Sequence, residues 1–317
     1  VETAVGTLGA TAVGAVTSRT RRYATYAWWT VAANLGVIVW GALVRATGSG
    51  AGCGSHWPLC NGEVVPRAPS IETLIELSHR LTSGIALLLV VGLVVGAWRR
   101  FPSGHLVRRA AATSGVLMIL EALIGAGLVL LELVADDVST ARAWWMAGHL
   151  LNTFLLVGAL TLTAWWATTD ERPRLRDQGA LPITLGVALV GMLLLGVSGA
   201  ITALGDTLFP VATFAEGKAL TFSPSAHLFV RLRIWHPVLA VTVGVLLAMA
   251  ATHASLRRPT VRRIGGVLLG LVLVELSVGL ANMWLLAPVP LQLVHLLLAD
   301  LVWMALVVLT ASALAVP

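Results

Sequence analysis

Charge is scarce in this chain. Only 11% of its 317 residues are Asp, Glu, Lys or Arg, against about 25% in a soluble domain, which excludes an ordinary water-soluble fold. Cysteine is nearly absent: Cys53 and Cys60 stand close together, and no cysteine or carboxylate motif of zinc spacing accompanies the histidines. The length allows several crossings of about 20 residues each, with short loops, and leaves no room for a large soluble domain besides. A net charge of +6 would suggest nucleic acid in a soluble protein. Here the basic residues fall in particular loops and report orientation instead, so no nucleic-acid partner is expected. Residues 1–18 carry no basic segment ahead of an apolar core, and 1–22 read as a flexible cytoplasmic tail ending in Arg19, Arg21 and Arg22 rather than as a secretory signal.

Apolar sequence is what the chain has in excess, at 57%. Eight runs, at about 24–45, 74–98, 107–131, 143–168, 181–203, 232–253, 261–285 and 291–315, each approach the length that crosses a hydrocarbon core of about 30 Å. Arginines cluster before run one, between runs two and three (Arg99, Arg100, Arg108, Arg109), between four and five (Arg172, Arg174, Arg176), and between six and seven (Arg257, Arg258, Arg262, Arg263). The positive-inside rule then puts both termini in the cytoplasm and the long connections, about 46–73 and 204–231, outside. The expected fold is an all-α integral membrane protein whose eight helices form two pseudo-symmetric four-helix bundles. The N-terminal half covers 23–170, a cytoplasmic linker 171–180 and the C-terminal half 181–317. The repeat rests on ordered echoes: Gly41-Ala-Leu with Gly199-Ala-Ile, Glu121-x-x-x-Gly125 with Glu275-x-x-x-Gly279, His79 with His236, and His149 with His295.

Ionisable groups inside a span are expensive and mark function by default. His56, His227, His105 and His253 fall in loops or at helix ends and are read as solvated. His79, His149, His236 and His295 sit four to seven residues below the outer starts of the even-numbered runs, roughly 6–11 Å deep at 1.5 Å per residue. A lone intramembrane histidine usually bonds a neighbouring helix. Four in one layer point to paired imidazoles gripping a metal centre in a bundle, and haem suits apolar walls better than zinc. Arg45, Arg80, Arg231 and Arg233 lie at the same boundary, as possible propionate contacts or as snorkelling side chains. The halves differ beside the ligands: Glu76 stands three residues before His79, whereas Arg233 stands three before His236. Chemistry is therefore assigned to the first half, with Glu76 the catalytic candidate; Glu121 and Glu275, present in both halves, read as polar-network positions. Outside the membrane, Cys53 and Cys60, with six residues including Gly and Pro between them, are expected to close a disulfide ring. It is either a staple or a redox-active pair.

These residues together resemble the heme A synthase family. The likeness runs along the chain from about residue 24, strongest at Val44-Arg-Ala-Thr-Gly-Ser-Gly50 with Cys53, Trp57-Pro-Leu-Cys60 and Asn61-Gly62, at Glu76-Leu-Ser-His79-Arg80, and at the single histidines of runs four, six and eight. The resemblance implies that His79 and His149 hold the substrate, heme O, that His236 and His295 ligate a cofactor heme b, and that Glu76 takes part in catalysis. The family's reaction oxidises a porphyrin methyl group to formyl by successive hydroxylations and loss of water. An electron donor, and a heme O synthase that supplies the substrate, are implied as partners in the cell membrane alongside the lipid bilayer itself; self-association into a homo-oligomer is left open. Some relatives carry a second cysteine pair in the second outer loop, and this chain has none there. The rival reading is a di-haem b-type cytochrome that carries electrons from quinol, which leaves Glu76 and the loop cysteines unexplained.

Overall fold

The computed structural model describes residues 2–169 and 172–315, with side chains from Thr20 onward. Val1 of the expected tail, Asp170 and Glu171 at the expected linker, and Val316 and Pro317 lie outside the described residues. The helices among the described residues are α1 (Glu2–Ala46), α2 (Ile71–Arg100), α3 (Leu106–Leu130), α4 (Thr140–Thr169), α5 (Leu181–Leu208), α6 (Phe214–Thr221), α7 (Leu228–Leu232), α8 (Trp235–Arg257), α9 (Arg262–Trp284) and α10 (Val289–Ala313). Eight segments are long and apolar enough to cross a membrane, with α7 and α8 forming one of them, Leu228–Arg257. All eight expected runs are present.

Local chemistry fixes where these helices begin. Ser70 caps α2 by accepting the Thr73 amide at 3.2 Å, so α2 starts about a turn earlier than hydropathy suggests. Prolines in the first turns of α5 and α10 occupy positions whose amides have no helical partner. Two expectations change. The segment read as a flexible tail is helical from Glu2, because nothing between it and the first span breaks the helix and propagation from an existing helix is easy. The second long connection, expected at about 204–231, is shorter than expected, since α5 runs to Leu208 and the connection folds into α6 and α7.

With no hydrophobic drive between helices in lipid, close packing at small residues must hold them together. The most enclosed span is α4: 67% of its membrane window is buried, against 17–39% for the others. Its Phe154 ring covers Gly196 of α5, where a Cβ would stand only 2.5 Å away. Trp303 of α10 lies against Gly158 and donates its indole N–H to the Phe154 carbonyl at 2.6 Å. One aromatic pair thus joins the central helix to α5 and α10. Tyr23 and Tyr26 of α1 donate to the Leu93 and Leu89 carbonyls of α2 at 3.0 and 2.7 Å. The connection before α5 is tied to the end of α10 by Arg174 N–H to Leu314 O, 2.9 Å.

Candidate functional site

Each of the four deep histidines sits against a glycine of the span before it. A Cβ on Gly41 would meet the His79 ring at 2.9 Å, on Gly199 the His236 ring at 3.1 Å, and on Gly279 the His295 ring at 3.0 Å. Gly125 stands behind His149 more loosely, at 3.9 Å. The glycines leave room for the rings, and among the described residues no hydrogen bond takes any of the four Nε2 atoms. They begin six to nine residues inside their spans, roughly 9–14 Å along the helix, and the earlier helix starts account for the extra depth.

The other ring nitrogens differ. His236 Nδ1 pairs with Ser198 Oγ at 2.9 Å. Glu275 Oε1 lies 3.0 Å from His295 Nδ1 and Glu121 Oε1 3.3 Å from His149 Nδ1, both off the hydrogen-bond axis. Such outer partners orient an imidazole toward a metal. His79 Nδ1 is buried without a partner. The His236 and His295 rings lie 6.3 Å apart, centroid to centroid, at 83°. Two imidazoles bound at about 2 Å to one metal ion put their centroids roughly 6 Å apart, so this pair fits a shared iron.

Glu76 is buried, at 3% exposure, and its carboxylate is held from two sides. Oε2 accepts the Cys53 amide at 2.8 Å. Oε1 accepts Arg80 Nε at 3.1 Å and forms an ion pair with Arg80 Nη2. Arg80 Nη1 in turn donates to the His56 and Leu59 carbonyls at 2.6 and 2.7 Å. Both carbonyls belong to the ring closed by the Cys53–Cys60 disulfide. Ring, guanidinium and carboxylate therefore form one closed circuit. Donors surround the carboxylate, which is how an ionised group is accommodated away from water.

The circuit depends on close backbone contact. A Cβ on Gly52 would stand 2.5 Å from the Glu72 carbonyl and 2.6 Å from the Thr73 amide nitrogen, and Thr73 Oγ1 donates to Gly52 O at 2.7 Å. Gly52→Ala must push the ring off α2, at about 1–3 kcal/mol as for other overpacked sites. The expected result is folded protein whose disulfide is reduced severalfold faster by a soluble thiol, measured by alkylation and mass shift. An unchanged rate would mean that the ring is not seated through this contact.

Arg45, Arg80 and Arg233 are committed to the protein. Arg45 crosses from α1 to donate to Ala203 O at 2.8 Å, Thr207 Oγ1 at 2.6 Å and Gln292 Oε1 at 2.7 Å. Arg233 lies 2.8 Å from Asp206 Oδ1 and donates to the Gly205 and Phe209 carbonyls at 2.6 and 2.9 Å. Arg231 is exposed. Of the histidines read as solvated, only His56 is exposed. His105 and His227 cap α3 and α7 through Nδ1, and His253 Nδ1 meets Thr184 Oγ1 at 3.1 Å. An imidazole acceptor at a helix start satisfies an amide that would otherwise lack a partner, a use that loop position alone does not reveal.

Residues 24–307 match the sequence model of the COX15-CtaA family, described as cytochrome oxidase assembly protein. The chain belongs to the COX15-CtaA family. This family member is 49% identical over 295 residues to a Thermus thermophilus protein named protoheme IX farnesyltransferase, covering 92% of this chain and 48% of that protein. It is 50% identical over 93 residues to the heme A synthases of Bacillus mycoides and Bacillus cereus, 29% of this chain and 30% of theirs. The chain thus spans about half the length of the Thermus relative.

Four polar residues of this COX15-CtaA chain's interior escaped the sequence reading. Ser198 and Gln292 give no signal in sequence, being short uncharged breaks in apolar runs. Asp206 and Asp300 do: each is a carboxylate inside a span, and the rule that singled out the histidines applies equally to them.

Proposed function

We propose that this chain is a heme A synthase, oxidising a methyl group of heme O to formyl, with heme O bound in the N-terminal half and a resident heme b in the C-terminal half. The observation that carries the reading is the circuit around Glu76: a buried carboxylate, three residues from His79 on one helical face, fixed by a disulfide ring at the membrane boundary. An electron carrier has no use for it. The two halves are related by duplication, 23–170 and 181–317 with the short linker 171–180 between them, and by the arginine distribution both termini face the cytoplasm.

His79 and His149 hold the substrate's iron. His149 is the oriented ligand, with Glu121 beside its Nδ1 and Asn152 and Thr153 donating to that carboxylate at 2.6 and 2.5 Å. His79 has no such brace and is the side that can open. His236 and His295 hold heme b, which when bound supplies one-electron transfer. Glu76 stabilises positive charge developing at the porphyrin edge. Arg80 keeps it aimed; Arg45 ties the first half to the second and Arg233 braces the second, and propionate contact falls to Arg231 and to whatever donors Arg45 and Arg80 retain. The bilayer admits the lipid-tailed substrate from the side. The donor of electrons and the source of heme O are membrane partners, and the farnesyltransferase name of the Thermus relative belongs to the portion of that protein outside the match.

The test is to express the chain with a heme O source under aerobic, reducing conditions and to analyse the extracted porphyrins by mass. Heme A is expected. Heme O and heme B alone would favour the electron-carrier reading. The glycine seats give a finer check: Gly41→Val should displace His79 and remove heme O binding while the C-terminal haem spectrum persists, and Gly279→Val should do the reverse. Loss of both spectra from either variant would count against separate sites.

A further inference from the structure

Among the described residues, Asp300 is a fully buried carboxylate that the reaction above leaves idle. It lies near the middle of α10 (Val289–Ala313), has 0% exposure, and neither carboxylate oxygen has a hydrogen-bond partner. The helices packed against α10 offer it no cation. On α9 the charged groups are Arg262 and Arg263 in its first turn and Glu275 farther along, whose Oε2 is also unpartnered. In the described spans, α1 has no titratable group between Tyr26 and Arg45, α4 none beyond His149, α5 only Asp206 near its outer end, and α8 only His236, His253 and Arg257 toward its ends. An ionised Asp300 would be a second negative charge beside Glu275 in a low-dielectric interior, without donor or counter-ion, and that state costs several kcal/mol. It becomes tolerable only when positive charge is close. The nearest candidate is the iron centre assigned to His236 and His295, the latter about a turn and a half from Asp300 on the same helix.

We infer that Asp300 is a proton-loading site, taking up one proton when an electron reaches the His236–His295 centre and releasing it when the electron leaves. The inference rests on the heme b assignment. In the balance, one electron from a one-electron reductant reduces ferric to ferrous iron, and one proton from water moves to the Asp300 carboxylate. The net charge of the buried region is unchanged. Aspartate is used here as a group at a distance from the iron, so its role is to set charge and not to ligate.

The experiment is spectroelectrochemistry on the purified full chain in detergent, with its haem. The midpoint potential of the wild-type haem should fall as pH rises, and in Asp300→Asn it should become nearly flat with pH; Asp300→Glu should restore the slope. Infrared difference spectra should show a protonated-carboxyl band gained on reduction, shifted by 13C-aspartate in the wild-type protein and missing from Asp300→Asn. The isotope shift needs no variant, so a folding defect cannot shelter the idea. An unchanged slope in Asp300→Asn, or a wild-type spectrum without the band, overturns it. If His236→Ala/His295→Ala retains the same haem, the heme b assignment fails and takes this inference with it; an unchanged slope with haem still lost from that double variant overturns this inference alone.

Discussion

Replacing Glu76 by glutamine is expected to lower heme A production at least about 100-fold, the usual effect of losing a preorganised electrostatic group, while haem content stays the same. The comparison with Glu76→Ala isolates the cause. Glutamine keeps a carbonyl oxygen that can still accept the Cys53 amide, now met by Oε2 at 2.8 Å, so the ring remains seated. What is lost is the oxygen that accepts from Arg80, with its charge, because an NH2 in its place only donates. Alanine removes both, leaving the Cys53 amide and the Arg80 guanidinium without their acceptor, so it should also speed reduction of the Cys53–Cys60 bond. Equal loss of turnover in both variants, with faster thiol reduction only in alanine, is the signature of a carboxylate used for its charge. A glutamine variant that still turns heme O over at near wild-type rate would show that charge at this position does no chemistry. The measurement is quantified heme A per mole of chain by mass, beside the rate of disulfide reduction.

The geometry gives the loop cysteines a further use. Two uses were open from sequence: a staple for a long loop, or a redox pair. Arg80 binds the carbonyls of His56 and Leu59, both inside the ring, and Cys53 supplies its own amide to Glu76. The ring therefore acts on the carboxylate directly, a role that neither option described. The missing second cysteine pair is no obstacle to that role. In the second half the position three residues before the histidine is Arg233, already neutralised by Asp206 at 2.8 Å, so there is no carboxylate for a ring to hold.

What the sequence made legible follows from scale. A span declares itself over some twenty residues, and the histidines declare themselves because a polar group at that depth is rare. The echo of Gly41 with Gly199 was visible as a repeat of letters, but its meaning, a seat for an imidazole on the next helix, needed the packing. Partners were the least legible. Arg45 reaches Gln292 across 247 positions, and nothing local in either segment announces the other. The capping histidines went wrong for a related reason: His105 and His227 look like solvated loop residues until the amide that each accepts is placed two residues on. Asp300 was readable in principle, since an aspartate twelve residues into an apolar run is as conspicuous as a histidine.

Removing either member of the second imidazole pair is the other large effect. His236→Ala and His295→Ala are each expected to lose the six-coordinate, low-spin absorbance of one haem and to abolish heme A formation, while heme O still binds in the first half. The reason is geometric. The rings face one another at 6.3 Å, each backed by a glycine; His236 Nδ1 pairs with Ser198 Oγ, and Glu275 Oε1 lies 3.0 Å from His295 Nδ1. Neither ring can move over to replace its partner, so one substitution would leave a haem iron bound there with one imidazole in place of two. Conservative changes behind the rings should be graded. Ser198→Ala removes a 2.9 Å bond and leaves ligation intact, so it should weaken haem retention by about 10-fold, within the range for lost outer partners, without abolishing it. Haem content per chain and the visible spectrum of reduced protein give the answer. Full haem content in both histidine variants would place the iron elsewhere and remove the electron path on which the proposed oxidation relies.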